Sequence, residues 1–281
     1  MSSFKSVCGV FLYFTCFLFT QAWGDEAYFE MAYRTESPEL MMRIYRPVDW
    51  SQKDARPAIV FFFGGGWKSG TPDQFDAHCK RLSQQGMVAM AAEYRIQSKH
   101  KSTPIDSFED AKAAIRWVRE NAGGFGIDPD RIASGGGSAG GHLAAAVAEC
   151  ESRVVSDLRG TPDAIVLFNP ALNLMSPEVA ETWGPDVYAK LESISPFQHL
   201  TAKLPPMIIF HGKADSTVPF ASAEAYVEKA KALGVDPLPI LVGYEGKEHG
   251  FFNLNRDGGT DYEDTVKRMI GFFQSLGWIK G

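Results

Sequence analysis

Continuous apolar runs alternate with amphipathic stretches along most of the chain. The longest run occupies residues 58–63 (Ala-Ile-Val-Phe-Phe-Phe), and similar runs occupy residues 87–92, 164–168, 207–210 and 239–242. An unbroken apolar run of this kind is typical of a strand that helices cover on both faces. Helical spacing is found between the runs, over residues 73–85, 108–121, 141–150, 221–233 and 262–276. The alternation predicts an α/β fold with a mainly parallel sheet, right-handed crossovers and helices on both faces.

Two segments depart from this alternation. Residues 39–46 alternate loosely and predict an edge strand that ends at Pro47. Residues 171–204 form an unusually long connection that contains Trp183, Tyr188 and Phe197. Two interpretations are open for this long connection: a small lid over the functional site, or a structural excursion whose aromatic side chains pack on the body. We do not expect a separate cap domain.

The N-terminal residues have the layout of a secretory signal peptide. Lys5 precedes an apolar run from Val7 to Phe19, and Ala22-Trp23-Gly24 follows it. The run is shorter than the roughly 20 apolar residues that a membrane-spanning helix needs. We therefore expect a signal peptide over residues 1–24 and one catalytic domain over residues 25–281. A secreted or periplasmic protein without stable membrane insertion follows from this interpretation.

The two cysteines that follow the predicted signal peptide, and the net charge, restrict the class of protein. Cys79 and Cys150 lie on predicted helices that we expect on opposite faces of the sheet. Two free, buried thiols are therefore expected, although an exported protein could carry a disulfide. The formal net charge is −6, and an acidic surface disfavours nucleic acid and anionic membranes as partners.

The most informative motif is the stretch Ser-Gly-Gly-Gly-Ser-Ala-Gly-Gly-His at residues 134–142. Gly136, Ser138 and Gly140 have the Gly-x-Ser-x-Gly spacing of a nucleophile elbow. In such an elbow the serine lies on a sharp turn between a strand and a helix, and the glycines remove side chains that would clash. The apolar residues before the motif suit a strand, and the alanine-rich residues after it suit a helix. This context favours a serine hydrolase.

The same stretch is compatible with two other interpretations. Gly135, Gly137 and Gly140 satisfy the Gly-x-Gly-x-x-Gly pattern of dinucleotide-binding loops, and a plain glycine-rich turn also fits. A dinucleotide-binding loop is expected early in its domain, with an acidic residue about 20 residues later at the end of the next strand. Here the loop lies in the middle of the chain, and the next apolar run ends in Asn169. An NAD-dependent oxidoreductase is therefore the weaker hypothesis.

A serine nucleophile needs a base and a carboxylate that orients this base. In the fold that carries such elbows, the residues follow the chain order serine, acid, histidine. Among the six histidines only His249 lies beyond Asp215, and Asp215 follows the apolar run 207–210 in a turn. Asp215 could alternatively cap only the helix that follows it. Glu245 and Glu248 are weaker candidates for the acid.

The oxyanion of the reaction needs backbone N–H donors. Gly65 and Gly66 directly follow the longest apolar run and can supply them, together with the N–H of Ala139 after the nucleophile. A phosphate-binding loop is the competing interpretation, but no Lys-Ser or Lys-Thr follows in the required spacing. His142 and His211 are expected to be structural. The sequence contains no His-Glu-x-x-His motif and no cysteine cluster, so neither a metal nor a cofactor is expected.

Taken together and in this order, the motifs resemble the α/β-hydrolase superfamily. Within it, the chain is similar to bacterial esterases related to hormone-sensitive lipase and to the acetyl and feruloyl esterases, over nearly the whole predicted mature chain. The resemblance rests on the glycine loop at residues 64–67, Tyr94-Arg95, Asp110-Ala111-x-x-Ala114-x-Arg116-Trp117, Asp128-Pro129-x-Arg131-Ile132, the elbow, Asp215 and His249-Gly250-Phe251. It implies an α/β-hydrolase fold with Ser138, Asp215 and His249 as the catalytic triad.

Two positions depart from the pattern of many relatives. Phe63 stands where many have a histidine before the glycines, and Gly137 stands where many have an acidic residue before the serine. Neither change removes the backbone N–H donors, and the chain more closely resembles the acetyl and feruloyl esterases. We expect an exported serine esterase that removes short acyl groups, such as acetyl or feruloyl, from carbohydrate. A peptidase or amidase of the same fold and a non-catalytic binding protein on a hydrolase scaffold are the alternatives.

Overall fold

The computed structural model describes residues 28–150 and 160–281. The predicted signal peptide lies outside the described residues. Within the described ranges, eight strands form one sheet in the order β1-β2-β4-β3-β5-β6-β7-β8. The strands are β1 (Phe29–Arg34), β2 (Leu40–Tyr45), β3 (Arg56–Phe62), β4 (Val88–Ala92), β5 (Ile127–Gly137), β6 (Ala164–Phe168), β7 (Met207–Gly212) and β8 (Ile240–Tyr244).

The sheet is mainly parallel, as the sequence predicts. Strand β2 pairs antiparallel with both β1 and β4, whereas every other neighbouring pair is parallel. The prediction that residues 39–46 form an edge strand is wrong, because β1 lies outside β2 and occupies that edge. The sequence did not predict β1 because this strand has one buried residue among its six and no continuous apolar run.

The helices of the described residues include five that the sequence predicts to within a few residues. These five are α1 (Asp76–Gln84), α3 (Pro104–Glu120), α4 (Ala139–Glu149), α7 (Phe220–Ala232) and α8 (Thr260–Ser275). Helix α3 begins earlier than predicted because Thr103 and Asp106 form a capping box around Pro104. The others are α2 (Gln97–His100), α5 (Pro177–Leu191) and α6 (Pro196–His199).

Helices cover both faces of the sheet. In β3, Ile59 and Phe61 belong to one buried cluster, which includes residues of α1 and α8, while Val60 belongs to the other, which includes residues of α3, α4 and α7. This alternation follows from the opposite directions of successive side chains in a strand. Cys79 lies in the first cluster and Cys150 in the second, so the two thiols are buried on opposite faces of the sheet as expected, and neither is part of a disulfide bond.

The long connection between β6 and β7 packs on the body and contains α5 and α6. Trp183, Tyr188 and Phe197 are half-buried against the core, as the second interpretation of this segment expects. The indole ring of Trp183 also approaches that of Trp67 on the glycine loop, with centroids 6.4 Å apart. The long connection therefore packs on the side of the sheet that α3, α4 and α7 cover, and it contacts the glycine loop there.

Strand β8 is less covered than its apolar run predicts. It is the last strand in the sheet order, and Ile240 is 49% exposed. Local sequence could not distinguish it from the central strands, because an apolar run records hydrophobicity but not the number of neighbouring strands. Across residues 28–150 and 160–281, we find no helix with the length and apolar character required to cross a membrane.

Candidate active site

Ser138 lies on the sharp turn between β5 and α4. Its backbone has φ 55° and ψ −118°, which is strained for a residue with a side chain. A Cβ atom on Gly140 would lie 2.0 Å from the carbonyl oxygen of Phe62, and one on Gly136 would lie 2.4 Å from the carbonyl carbon of Gly140. Both glycines of the motif are therefore required by close backbone packing. The turn presents Ser138 at the carboxyl edge of the sheet and at the N-terminus of α4.

Asp215 and His249 are in direct contact. Nδ1 of His249 lies 2.7 Å from Oδ2 of Asp215, whose side chain is fully buried. The other carboxylate oxygen accepts hydrogen bonds from the backbone N–H groups of Thr217 and Val218, each at 2.9 Å. One oxygen of Asp215 thus shapes the turn before α7, while the other orients the imidazole. The carboxylate selects the tautomer with a proton on Nδ1, which leaves Nε2 as a basic nitrogen.

The surroundings of Asp215 keep it ionised. Burial disfavours its carboxylate, but hydrogen bonds from His211, His249 and the N–H of Val218 outweigh this effect and hold the pKa well below its usual range. Nε2 of His211 lies 2.8 Å from the carbonyl oxygen of Val218 and 3.4 Å from Oδ2 of Asp215. Since a carbonyl only accepts, Nε2 of His211 carries the proton. His211 is thus structural, as expected, and also supports the charge on Asp215.

Asn169 occupies the position next to Nε2 of His249. Its Nδ2 lies 3.4 Å from this nitrogen, and its Oδ1 accepts from the N–H of Gly250 at 3.4 Å. Within the described part of the chain, no hydrogen bond joins His249 to Oγ of Ser138. The sequence analysis missed this role of Asn169. Its position could have indicated the role, because Asn169 is a polar residue directly after a buried strand, at the edge of the sheet where functional groups converge.

The glycine loop after β3 lies against the elbow. A Cβ atom on Gly64 would be 3.4 Å from Cβ of Ser138. Gly65 and Gly66 have φ values of 118° and 62°, in the region that favours glycine. A Cβ atom on Gly65 would also lie 2.1 Å from the carbonyl oxygen of Ser69. The loop can therefore form this tight turn only with glycine at position 65.

Some backbone N–H groups of the glycine loop and the elbow donate to a described partner, and others do not. The N–H of Gly64 donates to Oε1 of Gln74 at 2.6 Å. Among the hydrogen bonds of residues 28–150 and 160–281, none uses the N–H of Gly65 or Gly66. Ala139 is the first residue of α4, so its N–H has no partner within the helix. The glycine loop therefore lies beside the elbow with the N–H groups of Gly65 and Gly66 unused among the described hydrogen bonds, and the role of these groups and of Ala139 as oxyanion donors stays a prediction.

Aromatic packing accounts for the two departures from the family pattern. The carbonyl oxygen of Phe63 accepts from the hydroxyl of Tyr94 at 2.7 Å, and the two rings stack with centroids 4.1 Å apart. At the second position, a Cβ atom on Gly137 would lie 2.6 Å from Cζ of Phe252. The space for a side chain before Ser138 is therefore occupied by a phenylalanine from the histidine loop.

His142 is a buried structural residue, as expected, and its imidazole is neutral. Burial lowers its pKa to about 4. Its Nδ1 accepts from Nε1 of Trp67 at 3.3 Å, and its Nε2 lies 2.8 Å from the carbonyl oxygen of Ile194. His142 therefore connects the glycine loop to the long connection between β6 and β7. Considering only the described residues, we find no group of three or more His, Cys, Asp or Glu side chains that could hold a metal ion.

A small cavity of about 260 Å³ lies beside the histidine loop. Its lining residues are Gly246, Lys247, Glu248, His249, Phe251, Arg256 and Asp257. Acidic and basic side chains both contribute to this lining, so the cavity presents mixed charge next to the imidazole.

A serine on a strand-to-helix turn and a histidine loop beyond the last strand, at one edge of a mainly parallel sheet, define an α/β hydrolase. The chain belongs to this superfamily, within the esterases related to hormone-sensitive lipase. The BD-FAE family matches residues 42–163. The fold and this relationship agree with the resemblance drawn from the motifs.

Individual relatives are similar over most of the chain. Thermogutta terrifontis esterase 2 phosphoramylated by tabun has a TM-score of 0.83 and 41% identity, over 91% of this chain and 97% of that one. The propionate-bound form of the same esterase has a TM-score of 0.83 and 40% identity, over 91% of this chain and 96% of that one. Esterase LipC of Mycobacterium tuberculosis is 30% identical over 77% of this chain. The chain spans only 58% of the length of LipC.

Proposed function

We propose that the protein is a serine esterase that hydrolyses carboxylic esters through an acyl-enzyme on Ser138. The observation that carries the proposal is the 2.7 Å contact between the buried carboxylate of Asp215 and Nδ1 of His249. This contact leaves Nε2 of His249 as a base close to the elbow. Membership of an esterase family supports ester hydrolysis as the reaction.

In the first half of the proposed reaction, Oγ of Ser138 attacks the ester carbonyl while Nε2 of His249 takes the serine proton. The ionised Asp215 stabilises the imidazolium. The N–H groups of Gly65, Gly66 and Ala139 stabilise the oxyanion of the tetrahedral intermediate. The intermediate collapses with cleavage of the bond to the alcohol, which leaves with the proton from His249. For this step Oγ of Ser138 and Nε2 of His249 must come within hydrogen-bond distance of each other.

Water completes the proposed cycle. His249 removes a proton from a water molecule, whose oxygen attacks the acyl carbon and forms a second tetrahedral intermediate at the same N–H donors. Collapse of this intermediate returns the proton to Oγ of Ser138 and releases the carboxylic acid. One water is consumed, and one alcohol and one acid are formed.

Short acyl groups, such as acetyl or feruloyl, are the proposed acyl part of the substrate, and carbohydrate is the proposed alcohol part. The propionate-bound relative supports a short acyl site. The similarity of the motifs to acetyl and feruloyl esterases supports the carbohydrate alcohol. We also propose that residues 1–24 direct export, which gives a secreted or periplasmic enzyme. N-terminal sequencing of the exported protein tests this, with Asp25 as the expected first residue.

The decisive experiment measures hydrolysis of 4-nitrophenyl esters from acetate to decanoate by the full chain and by Ser138→Ala. The exposed Ser98→Ala is the matched control. We expect activity that is highest for the short esters, is lost in Ser138→Ala and is unchanged in Ser98→Ala. Treatment with paraoxon followed by peptide mass spectrometry should place the phosphoryl group on Ser138. A folded wild-type protein that hydrolyses none of the esters would refute the proposal.

The substrate class needs separate comparisons. Acetylated xylan and methyl ferulate are compared with 4-nitrophenyl acetate, and acetylated xylan should be the better substrate. Equal or lower activity on acetylated xylan would contradict the carbohydrate assignment. Anilides of the same short acids test the amidase alternative, because they change only the leaving group.

A further inference from the structure

A line of hydrogen bonds connects the glycine loop to the histidine loop. The N–H of Gly64 donates to Oε1 of Gln74 at 2.6 Å, and Nε2 of Gln74 donates to Oδ1 of Asn253 at 3.1 Å. Nδ2 of Asn253 then donates to the carbonyl oxygen of Gly250 at 2.7 Å. Gly250 follows His249 directly. We call Gln74 and Asn253, with their bonds to Gly64 and Gly250, the amide relay.

We propose that Gln74 and Asn253 are positioning residues. They hold the loop with the oxyanion donors and the loop with the catalytic base of the proposed esterase at a fixed distance from each other. The inference rests on the proposed function of the same site. It assigns to the two side chains a role that neither the elbow motif nor the triad order indicates. Neither side chain is placed to react with substrate, since both act through the backbone of Gly64 and Gly250.

The sheet itself does not provide this connection. The glycine loop follows β3 and the histidine loop follows β8, and three strands lie between them in the sheet order. Gln74 and Asn253 are 179 positions apart in the sequence. The relay is therefore a direct link across the carboxyl edge, between two loops that no pair of neighbouring strands holds together.

The relay also determines which N–H groups remain available for an oxyanion. The N–H of Gly64 points to Gln74, so it cannot serve the reaction, whereas the N–H groups of Gly65 and Gly66 are free among the described hydrogen bonds. All three bonds of the relay run in one direction, with each amide accepting from one neighbour and donating to the next. Such an aligned series strengthens its members through mutual polarisation.

Aromatic packing holds the two ends of the relay beside each other. Phe75 follows Gln74, and Phe252 precedes Asn253. Their rings stack with centroids 5.9 Å apart and an interplanar angle of 22°. Both phenylalanines are fully buried, while Gln74 and Asn253 are half-buried above them. The two buried, stacked rings therefore hold the neighbouring amide side chains next to each other.

The test is a double-mutant cycle on the full chain with Gln74→Met, Asn253→Leu and the double variant. Displacement of an oxyanion donor or of the base affects the transition state more than the ground state. We expect each single variant to lower kcat for 4-nitrophenyl acetate by about 10- to 100-fold, with KM changed less than about twofold. The double variant should be about as active as the less active single variant, because either change breaks the same relay. Losses that multiply, or that appear in KM alone, would overturn the proposal.

Matched controls and a conservative variant separate positioning from a general effect on folding. Gln84→Met, at the end of α1, and Asn255→Leu, two residues after Asn253, change exposed amides and should leave kcat unchanged. Gln74→Glu keeps an acceptor for the N–H of Gly64 and should restore part of the kcat that Gln74→Met loses. Equal loss in Gln74→Glu and Gln74→Met, at equal thermal stability, would contradict the assigned bond to Gly64.

A spectroscopic measurement tests the relay without activity. If the relay exists, Asn253→Leu shifts the amide proton resonance of Gly64, and Asn255→Leu does not. An inactive wild-type protein in which this shift occurs would refute the proposed function and leave the relay standing. An active wild-type protein in which neither the resonance nor kcat responds to Asn253→Leu would refute the relay alone.

Discussion

The side-chain amide of Asn169 lies 3.4 Å from Nε2 of His249, the ring nitrogen opposite the one that contacts Asp215. Asn169 is buried, has a positive φ of 36°, and its backbone N–H donates to the carbonyl oxygen of Phe210 at 2.7 Å. The amide can donate to the unprotonated Nε2, and this contact is lost when Nε2 serves Ser138.

Asn169→Asp is expected to move the acidic limb of the kcat/KM profile to higher pH by about one pH unit. A carboxylate beside Nε2 stabilises the imidazolium, so the base becomes available only at higher pH. The profile is measured with 4-nitrophenyl acetate, and the exposed Asn255→Asp serves as the control of equal charge. If the acidic limb moves by the same amount in both variants, the effect is one of general charge, and a specific contact between residue 169 and His249 is contradicted.

Asp215→Asn is expected to lower kcat by about 10⁴-fold while the protein remains folded. The amide cannot stabilise the imidazolium, and its NH₂ group favours the wrong tautomer of His249. The exposed Asp186→Asn makes the same chemical change elsewhere and should retain full activity. A loss below about tenfold in Asp215→Asn would mean that another acid orients His249.

Gly140→Ala and Gly271→Ala are expected to change stability in opposite directions. The new methyl group at residue 140 would lie 2.0 Å from a backbone oxygen, so the elbow must distort and the free energy of unfolding should fall by about 3 kcal/mol. Gly271 lies on the exposed side of α8, and a methyl group there would meet nothing within 4 Å, so alanine should add about 0.5–1 kcal/mol. Urea unfolding measures both. A stabilised Gly140→Ala variant would contradict the packing of the elbow.

His78 is expected to make the stability of the folded protein depend on pH in the acidic range. Its imidazole lies among the rings of Phe75, Phe168 and Tyr262. Neither of its ring nitrogens has a hydrogen-bond partner among the described residues, and burial lowers its pKa to about 3. The unfolded chain, with a histidine pKa near about 6.5, binds the proton more tightly. Stability therefore falls as the pH falls from about 6.5 towards 3, by about 1.4 kcal/mol per pH unit for this group.

His78→Leu should reduce this pH dependence, because it removes the titrating group from the buried site. The free energy of unfolding is measured in urea at about pH 7 and about pH 4.5, on either side of the unfolded-state pKa, and the difference between the two values should be smaller in the variant. His100→Gln is the comparison, because a glutamine side chain can also accept from the N–H of Ile96, which donates to Nδ1 of His100 at 3.0 Å. An unchanged difference in His78→Leu would contradict a neutral buried His78.

Much of the fold and part of the site follow from local sequence. Continuous apolar runs predict the central strands because a strand covered on both faces needs apolar side chains in both directions. The spacing around Ser138 predicts the elbow because only glycine tolerates the backbone contacts there. Asp215 and His249 could be selected from chain order and from their positions after strands. Each of these signals is contained in a few adjacent residues.

Other features depend on which segments meet in space. No local pattern marks the edge strand β1, the edge position of β8 or the contact of Asn169 with His249. The bond between Gln74 and Asn253 joins residues 179 positions apart, and an isolated amide in the sequence carries no record of its partner. The sequence by itself determined the α/β class, the elbow and the chain order of the candidate triad, because local backbone preference and burial leave a periodic signal. Only the tertiary structure decided the neighbours of each loop, because contacts between distant residues arise from the packing of the whole sheet.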